Sequence, residues 1–161
     1  VDGQLLQATR LKPNGVDIGR VGQVQRVDDH ELQLLGEAGF IPVVAPIGID
    51  VEHNETLNIN ADYAASSIAE HMLARKLILM TDVDAIRGAE GEAISTLTIE
   101  RARHLIQSGV INGGMIPKLK CAFGALRSGV EKVHIVNGCL KHALLLELFT
   151  DKGVGTELVL E

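Results

Sequence analysis

Three short segments carry the side chains best equipped for chemistry: "NINAD" (58–62), "TDVDAIRG" (81–88) and "INGGMIPK" (111–118). In the first, Asn60 suits a helix N-cap, because its side-chain oxygen can accept from a first-turn amide. Asp62 then lies in the first turn, where the helix dipole favours an anion by about 0.3–1 kcal/mol. Capping explains both residues and leaves Asn58 over, an amide able to hydrogen-bond a ligand carboxylate or amide. In the second segment a Thr-Asp pair closes an apolar run. It fits an Asx-turn that caps the loop and equally a contact to a nucleotide or phosphate. In the third, Gly113 and Gly114 let backbone approach a ligand closely, and the amides that follow form an anion site. Lys118 falls in the first turn of the next helix, against the dipole. A phosphate or carboxylate at that point would account for it, as would plain solvation at the surface. Lys120 lacks the glycine context and reads as a surface residue.

The flanking patterns say what must position these groups. "GQLLQATRL" and "GRVGQVQRV" alternate apolar and polar residues around a turn at Pro13–Gly15, which predicts antiparallel strands. "DDHELQLLGEAG" predicts a short helix capped by Asp28 or Asp29 and stopped by Gly39. "IPVVAPIGI" is continuously apolar and predicts a strand buried on both faces, with a small hairpin turning near His53-Asn54 after it. Ala61, Ala64, Ala65, Ile68, Ala69 and Met72 fall on one helical stripe. Beyond it come a strand "KLILMTDV", a helix "TIERARHLIQSG" and a helix with Pro117 in its first turn. A strand "KVHIVN", a helix "KHALLLELF" and a strand "GTELVLE" complete the order. Apolar strands alternating with helices predict a three-layer α/β/α sandwich with a largely parallel sheet. In such sheets ligands gather beyond the carboxyl ends of the strands, where all three segments fall.

Composition removes other classes. The 161 residues are 46% hydrophobic, so a core must be built largely from Val, Ile, Leu and Ala, with no Trp and one Tyr. Fifteen basic against 21 acidic residues give a net charge of −6, and no basic-aromatic patch marks a nucleic-acid binder. No apolar run approaches the roughly 20 residues of a membrane span. Two cysteines, Cys121 and Cys139, predict reduced buried thiols of an intracellular protein rather than a disulfide framework. The six histidines show no metal-ligand spacing, and the nucleophile elbow and P-loop are absent. The chain opens on Val1 inside what reads as an element, so a fragment is expected.

Five stretches, "GFIPVVAPIG", "LNINADYAA", "KLILMTDV", "NGGMIPKL" and "HALLLELFTDKGVGT", span nearly the whole chain. In them the chain resembles the C-terminal portion of the N-acetyl-L-glutamate kinases of the amino acid kinase family. Uridylate, glutamate-5- and carbamate kinases share the strand-end Asp but differ around "NINAD" and "GGMIPK"; kinases acting on carrier-linked aminoadipate or glutamate come nearer. The resemblance implies that the family's N-terminal half is missing, with 1–39 a remnant of the substrate-binding half and 40–161 an ATP-binding domain. It implies transfer of the ATP γ-phosphate to the γ-carboxylate of N-acetyl-L-glutamate, with Mg²⁺ on the phosphates and little activity from the fragment alone. Asn58 would bind acetylglutamate. Lys118 would neutralise charge on the transferring group, and Asp62 would hold catalytic lysines by charge pairing. Asp82, Val83, Asp84, Ala85, Ile86, Arg87, Val110, Ile111 and Asn112 would surround ATP. The C-terminal stretch resembles arginine-inhibited members, with His134, Glu147 and Gly153 as arginine contacts. A cytoplasmic homo-oligomer when full length is implied, as is docking of a nitrogen-signalling protein. The competing reading is a non-catalytic module that senses nucleotide or arginine.

Overall fold

The apolar-polar alternation of "LQATR" and "VGQVQRV" produces β1 (Leu6–Arg10) and β2 (Val21–Val27), antiparallel neighbours joined across a 3-10 turn at Pro13–Gly15. The computed structural model describes residues 5–83, 86–150 and 153–161. Contacts divide the chain into two compact units between Met72 and Leu73.

In the first unit β3 (Ile47–Asp50) and β4 (Glu55–Ile59) form the expected hairpin, which turns through Asn54 at φ 51°. The strands close into a barrel in the order β1-β2-β4-β3. Leu6, Ala8, Val27, Leu57 and Ile59 make its core, with Leu32 from α1 (His30–Glu37) and Ala64 from α2 (Ala61–His71). A barrel this small has little interior volume, and two glycines meet that limit. A Cβ on Gly22 would lie 2.9 Å from Leu57 Cβ. On Gly48 it would lie 2.8 Å from Ala8 Cβ and 3.1 Å from the Leu6 carbonyl oxygen.

The run "IPVVAPIGI" departs from expectation. Only Ile47–Asp50 is strand, and Ile41 and Val43 stand 90% and 94% exposed. Pro42 and Pro46 carry no amide hydrogen for a ladder, so regular pairing starts after Pro46. Residues 39 and 40 lie within this unit, where β3 and β4 complete the barrel with β1 and β2.

The second unit holds β5 (Lys76–Thr81), β6 (Thr96–Thr98), β7 (Lys132–Asn137) and β8 (Thr156–Val159) in the order β5-β7-β8-β6. β5–β7 and β6–β8 run parallel and β7–β8 antiparallel, so the α/β class holds and two of the three pairings are parallel. The three-residue β6 has no periodicity long enough to read in sequence. α4 (Met115–Arg127) packs on β5, β7 and β8, burying Leu119, Ala122 and Phe123; α3 (Ile99–Gln107) packs on β6 and α4, and α5 (Ala143–Phe149) on β7. Thr98 caps α3 by accepting from the Arg101 amide at 3.1 Å, and Gly109 ends it at φ 77°. Cys121 is buried, whereas Cys139 is exposed in the turn after β7, contrary to the expectation that both are buried. Among the described residues no helix is long and apolar enough to cross a membrane.

Gly48→Ala is expected to destabilise the chain by about 1–3 kcal/mol, since a backbone oxygen cannot yield to the added methyl. Gly36→Ala, in α1 with nothing within 4 Å of the new Cβ, should be neutral or mildly stabilising. Denaturant unfolding of both variants measures the contrast.

Candidate functional site

In the first unit Asn60 is the N-cap of α2: its Oδ1 accepts from the amides of Asp62 at 3.0 Å and Tyr63 at 3.3 Å. Asp62 sits in the first turn, so helix capping accounts for the placement of both. Asn58 lies in β4 opposite Val21 and Ile47, and its backbone amide donates to the Arg20 carbonyl at 2.8 Å. Its side chain is exposed at the strand end and is left over from the cap.

In the second unit two adjoining cavities open at the carboxyl end of β5. One, of about 450 Å³, is lined by Asp82, Val83, Ile86, Arg87, Val110, Ile111, Asn112 and Met115. These include every expected ATP-side residue except Asp84 and Ala85, which lie outside the described residues. The other, of about 700 Å³, takes in Thr81, Asp82, Asn112, Gly113, Gly114 and Lys118. Gly113 reaches φ 57° and Gly114 starts α4 with no side-chain cap. Pro117 has no amide hydrogen and the Ile116 amide donates to the Gly113 carbonyl at 3.3 Å, so the helix dipole rather than a row of free amides makes this end positive. Lys118 Nζ reaches across to donate to the Met80 carbonyl at 3.0 Å, which holds its charge at the end of β5. The Thr81 hydroxyl donates to Asp82 Oδ1 at 3.4 Å. Met115 and Cys139 also line these cavities, although nothing in their types or spacing marked them.

A third cavity, of about 340 Å³, brings His134, Glu147 and Gly153 together with Lys76, Thr96, Gly155 and Glu157. Glu147 is buried, 4% exposed. Its Oε2 accepts from the amides of Val154 at 2.8 Å and Gly155 at 3.1 Å. Its Oε1 pairs with His134 Nδ1 and lies 3.9 Å from Lys76 Nζ. Gly153, at φ 60°, presses against this carboxylate: a Cβ there would sit 2.7 Å from Oε2. With Nδ1 donating to Glu147, His134 Nε2 is buried without a hydrogen-bond partner, 3.8 Å from Glu157 Oε1. Burial pushes the imidazole below its ordinary 6.5, and the attraction of Glu147 offsets that only in part. Lys76, Gly155 and Glu157 were not foreseen; the glycine spacing in "GVGT" was their one sequence signal, since a Cβ on Gly155 would lie 2.5 Å from the Ile135 carbonyl oxygen.

Comparison with known proteins adds to this geometry. Residues 2–137 match the profile of the amino acid kinase family. The acetylglutamate kinase of Syntrophobacter fumaroxidans is 48% identical over 168 residues, which cover 98% of this chain and 56% of that protein. That of Syntrophus aciditrophicus is 48% identical, with coverage of 99% and 57%. The chain thus spans about half the length of these relatives. Among solved structures, an N-acetylglutamate synthase from Neisseria gonorrhoeae, in complex with coenzyme A and L-arginine, superposes with a TM-score of 0.89 at 31% identity. The match covers 99% of this chain and 37% of that one.

The lowered His134 affinity for protons fixes a pH dependence. The unfolded imidazole takes up its proton near the ordinary 6.5 while the folded one resists, so this residue's contribution to stability falls as pH drops through that value. His134→Gln should lose less stability than the wild type between pH 7 and pH 5, measured by thermal unfolding at each pH.

Proposed function

The chain belongs to the amino acid kinase family, and on that premise we propose that it is part of an acetylglutamate kinase, its second unit binding the nucleotide. The reaction is transfer of the ATP γ-phosphate to the γ-carboxylate of N-acetyl-L-glutamate, the second step of arginine biosynthesis, in the cytoplasm. The observation that carries this reading is the placement of Lys118 Nζ on the Met80 carbonyl at 3.0 Å, beside the uncapped start of α4 and within one cavity with Asp82. Identity of 48% to the acetylglutamate kinase of Syntrophobacter fumaroxidans supports it over other family chemistries.

The chemistry needs positioning more than proton transfer. A γ-carboxylate is ionised at neutral pH, so the acceptor requires no general base. The transferring phosphoryl group spreads negative charge over its oxygens, and cations and amides aimed at them lower the barrier. Lys118 and the positive dipole end of α4 supply that field. Asp82, Val83, Ile86, Arg87, Val110, Ile111 and Asn112 wall the neighbouring cavity, which receives the rest of the nucleotide. Asn58 takes the acetylglutamate-binding role, and Asp62 the charge-organising role for catalytic lysines. Magnesium is usually held by phosphates plus one or two carboxylates rather than by a protein cage. Among the described residues no group of three His, Cys, Asp or Glu could hold a metal, which fits an ion that arrives on the phosphates beside Asp82. When bound it neutralises phosphate charge.

A second reading concerns control. The cavity of His134, Glu147 and Gly153 is proposed to take arginine, and the arginine complex of the 31% identical Neisseria gonorrhoeae synthase favours it. Glu147 is occupied by amides and by His134, so it shapes the cavity, and the more exposed Glu157 is the carboxylate placed to meet a guanidinium. The competing reading is a non-catalytic module that senses nucleotide or arginine.

Titration calorimetry separates the readings. ADP is expected to bind this chain with a sub-millimolar to millimolar constant, on the scale of enzyme substrates, and little phosphorylation of acetylglutamate is expected without the remainder of the enzyme. Arginine binding without ADP binding would favour the sensing module. In the intact enzyme Lys118→Ala should lower kcat by roughly 10²–10³-fold while ATP affinity changes far less; an unchanged kcat removes Lys118 from catalysis.

A further inference from the structure

The nucleotide-side cavity takes Ile86 and Arg87 from a hairpin, residues 86–94, rather than from the main sheet. The hairpin is closed by a bridge between Arg87 and Ala93, by Gly88 N donating to Glu92 O at 2.9 Å and by Ile94 N donating to Ile86 O at 2.9 Å. The Arg87 guanidinium folds back on the Gly91 carbonyl at 2.8 Å. An isolated two-stranded ribbon is marginal in water, so its place at the cavity depends on ties to the rest of the unit. Two are present. Thr156 Oγ1, on β8 and 1% exposed as a residue, donates to the Ile94 carbonyl at 2.6 Å, and the next amide, Glu157 N, donates to Ser95 O at 2.8 Å. Glu92 pairs through Oε1 with Arg101 Nη2 of α3 at 3.0 Å and accepts the Glu90 amide on Oε2 at 3.2 Å. Its carboxylate lies over Gly88, where a Cβ would come within 1.8 Å of Oε1. The Glu92–Arg101 pair is about half exposed and counts for less than the buried hydroxyl, whose loss removes a donor from the Ile94 carbonyl.

Resting on the nucleotide reading above, we infer that Thr156 is a positioning residue for the nucleotide: through Ile94 it holds the hairpin that presents Ile86 and Arg87 to the cavity, with Glu92 as a weaker second tie. Neither side chain lines that cavity, so neither touches the ligand in this assignment. β8 touches both the hairpin at residues 86–94 and, through the amides of Val154 and Gly155 that precede it, the Glu147 carboxylate.

The test is ADP titration of the whole chain by calorimetry, paired with amide hydrogen exchange. Thr156→Val should weaken ADP binding about tenfold, the scale of one buried hydrogen bond, and speed exchange at Gly88 and Ile94 while the β5 and β7 amides keep wild-type protection. Thr156→Ser, which keeps the hydroxyl, should restore both. Glu92→Gln, at a half-exposed position that the fold tolerates, should weaken ADP binding about two- to threefold with the same local exchange signature. It decides the matter if Thr156→Val does not fold. No ADP binding by the wild type overturns the nucleotide reading and this inference with it. Wild-type binding that is unchanged in the folded variants overturns the inference alone.

Discussion

The parallel pairing of β5 with β7 is the constraint on which the second unit depends. Six residues stand in register, from Lys76 beside Lys132 to Thr81 beside Asn137. Parallel strands bring like ends together, so this one ladder creates two different environments. At the carboxyl end, Thr81 and Asp82 meet the turn after β7, where Gly138 N donates to the Thr81 carbonyl at 2.7 Å, and α4 delivers Lys118. At the amino end, two lysines share a register position, and the buried Glu147 from α5 stands 3.9 Å from one of them. The Lys118 cavity and the His134 cavity are thus opposite consequences of one strand pair.

Glu147 shows how a buried charge is kept. A carboxylate removed from water costs several kcal/mol unless its oxygens find donors. Here two backbone amides, an imidazole and an ammonium group come from different parts of the unit. Meeting that requirement fixes the path of residues 153–155, which explains why glycine stands at both 153 and 155: side chains would collide with the carboxylate at one and with the Ile135 carbonyl at the other. His134 bears the remaining cost, since one of its nitrogens stays buried without a partner.

Much of this was legible in the residues because local chemistry and tertiary role agree. Asn60 reads as a cap and is one; Pro117 and Gly109 mark helix limits where the structure has them. The hairpin at Asn54 follows from short-range turn preference. What failed to read depended on distant partners. "IPVVAPIGI" has the composition of a doubly buried strand, but two prolines and the closure of a four-stranded barrel leave its first half unpaired. The reversal of β8 against β7, and the short β6 that pairs with it, are set by tertiary packing and by the Glu147 clamp. Grouping of Lys76, His134 and Glu157 needed three strands in register. Asn58 and Asp62 were singled out by an excess of polar residues at a helix start, and the structure accounts for Asp62 locally while leaving the Asn58 side chain exposed at the end of β4.

The cap at Asn60 has a spectroscopic consequence. Its second hydrogen bond goes to the amide of Tyr63, the only tyrosine in a chain with no tryptophan, and that residue belongs to the barrel unit. Ultraviolet emission from the whole polypeptide therefore originates beside a single helix terminus. The second unit is optically quiet apart from phenylalanine, so Tyr63 emission reports on the barrel alone, and far-ultraviolet dichroism reports on both units together. Recorded on one sample, the two signals reveal whether the halves unfold in a single transition.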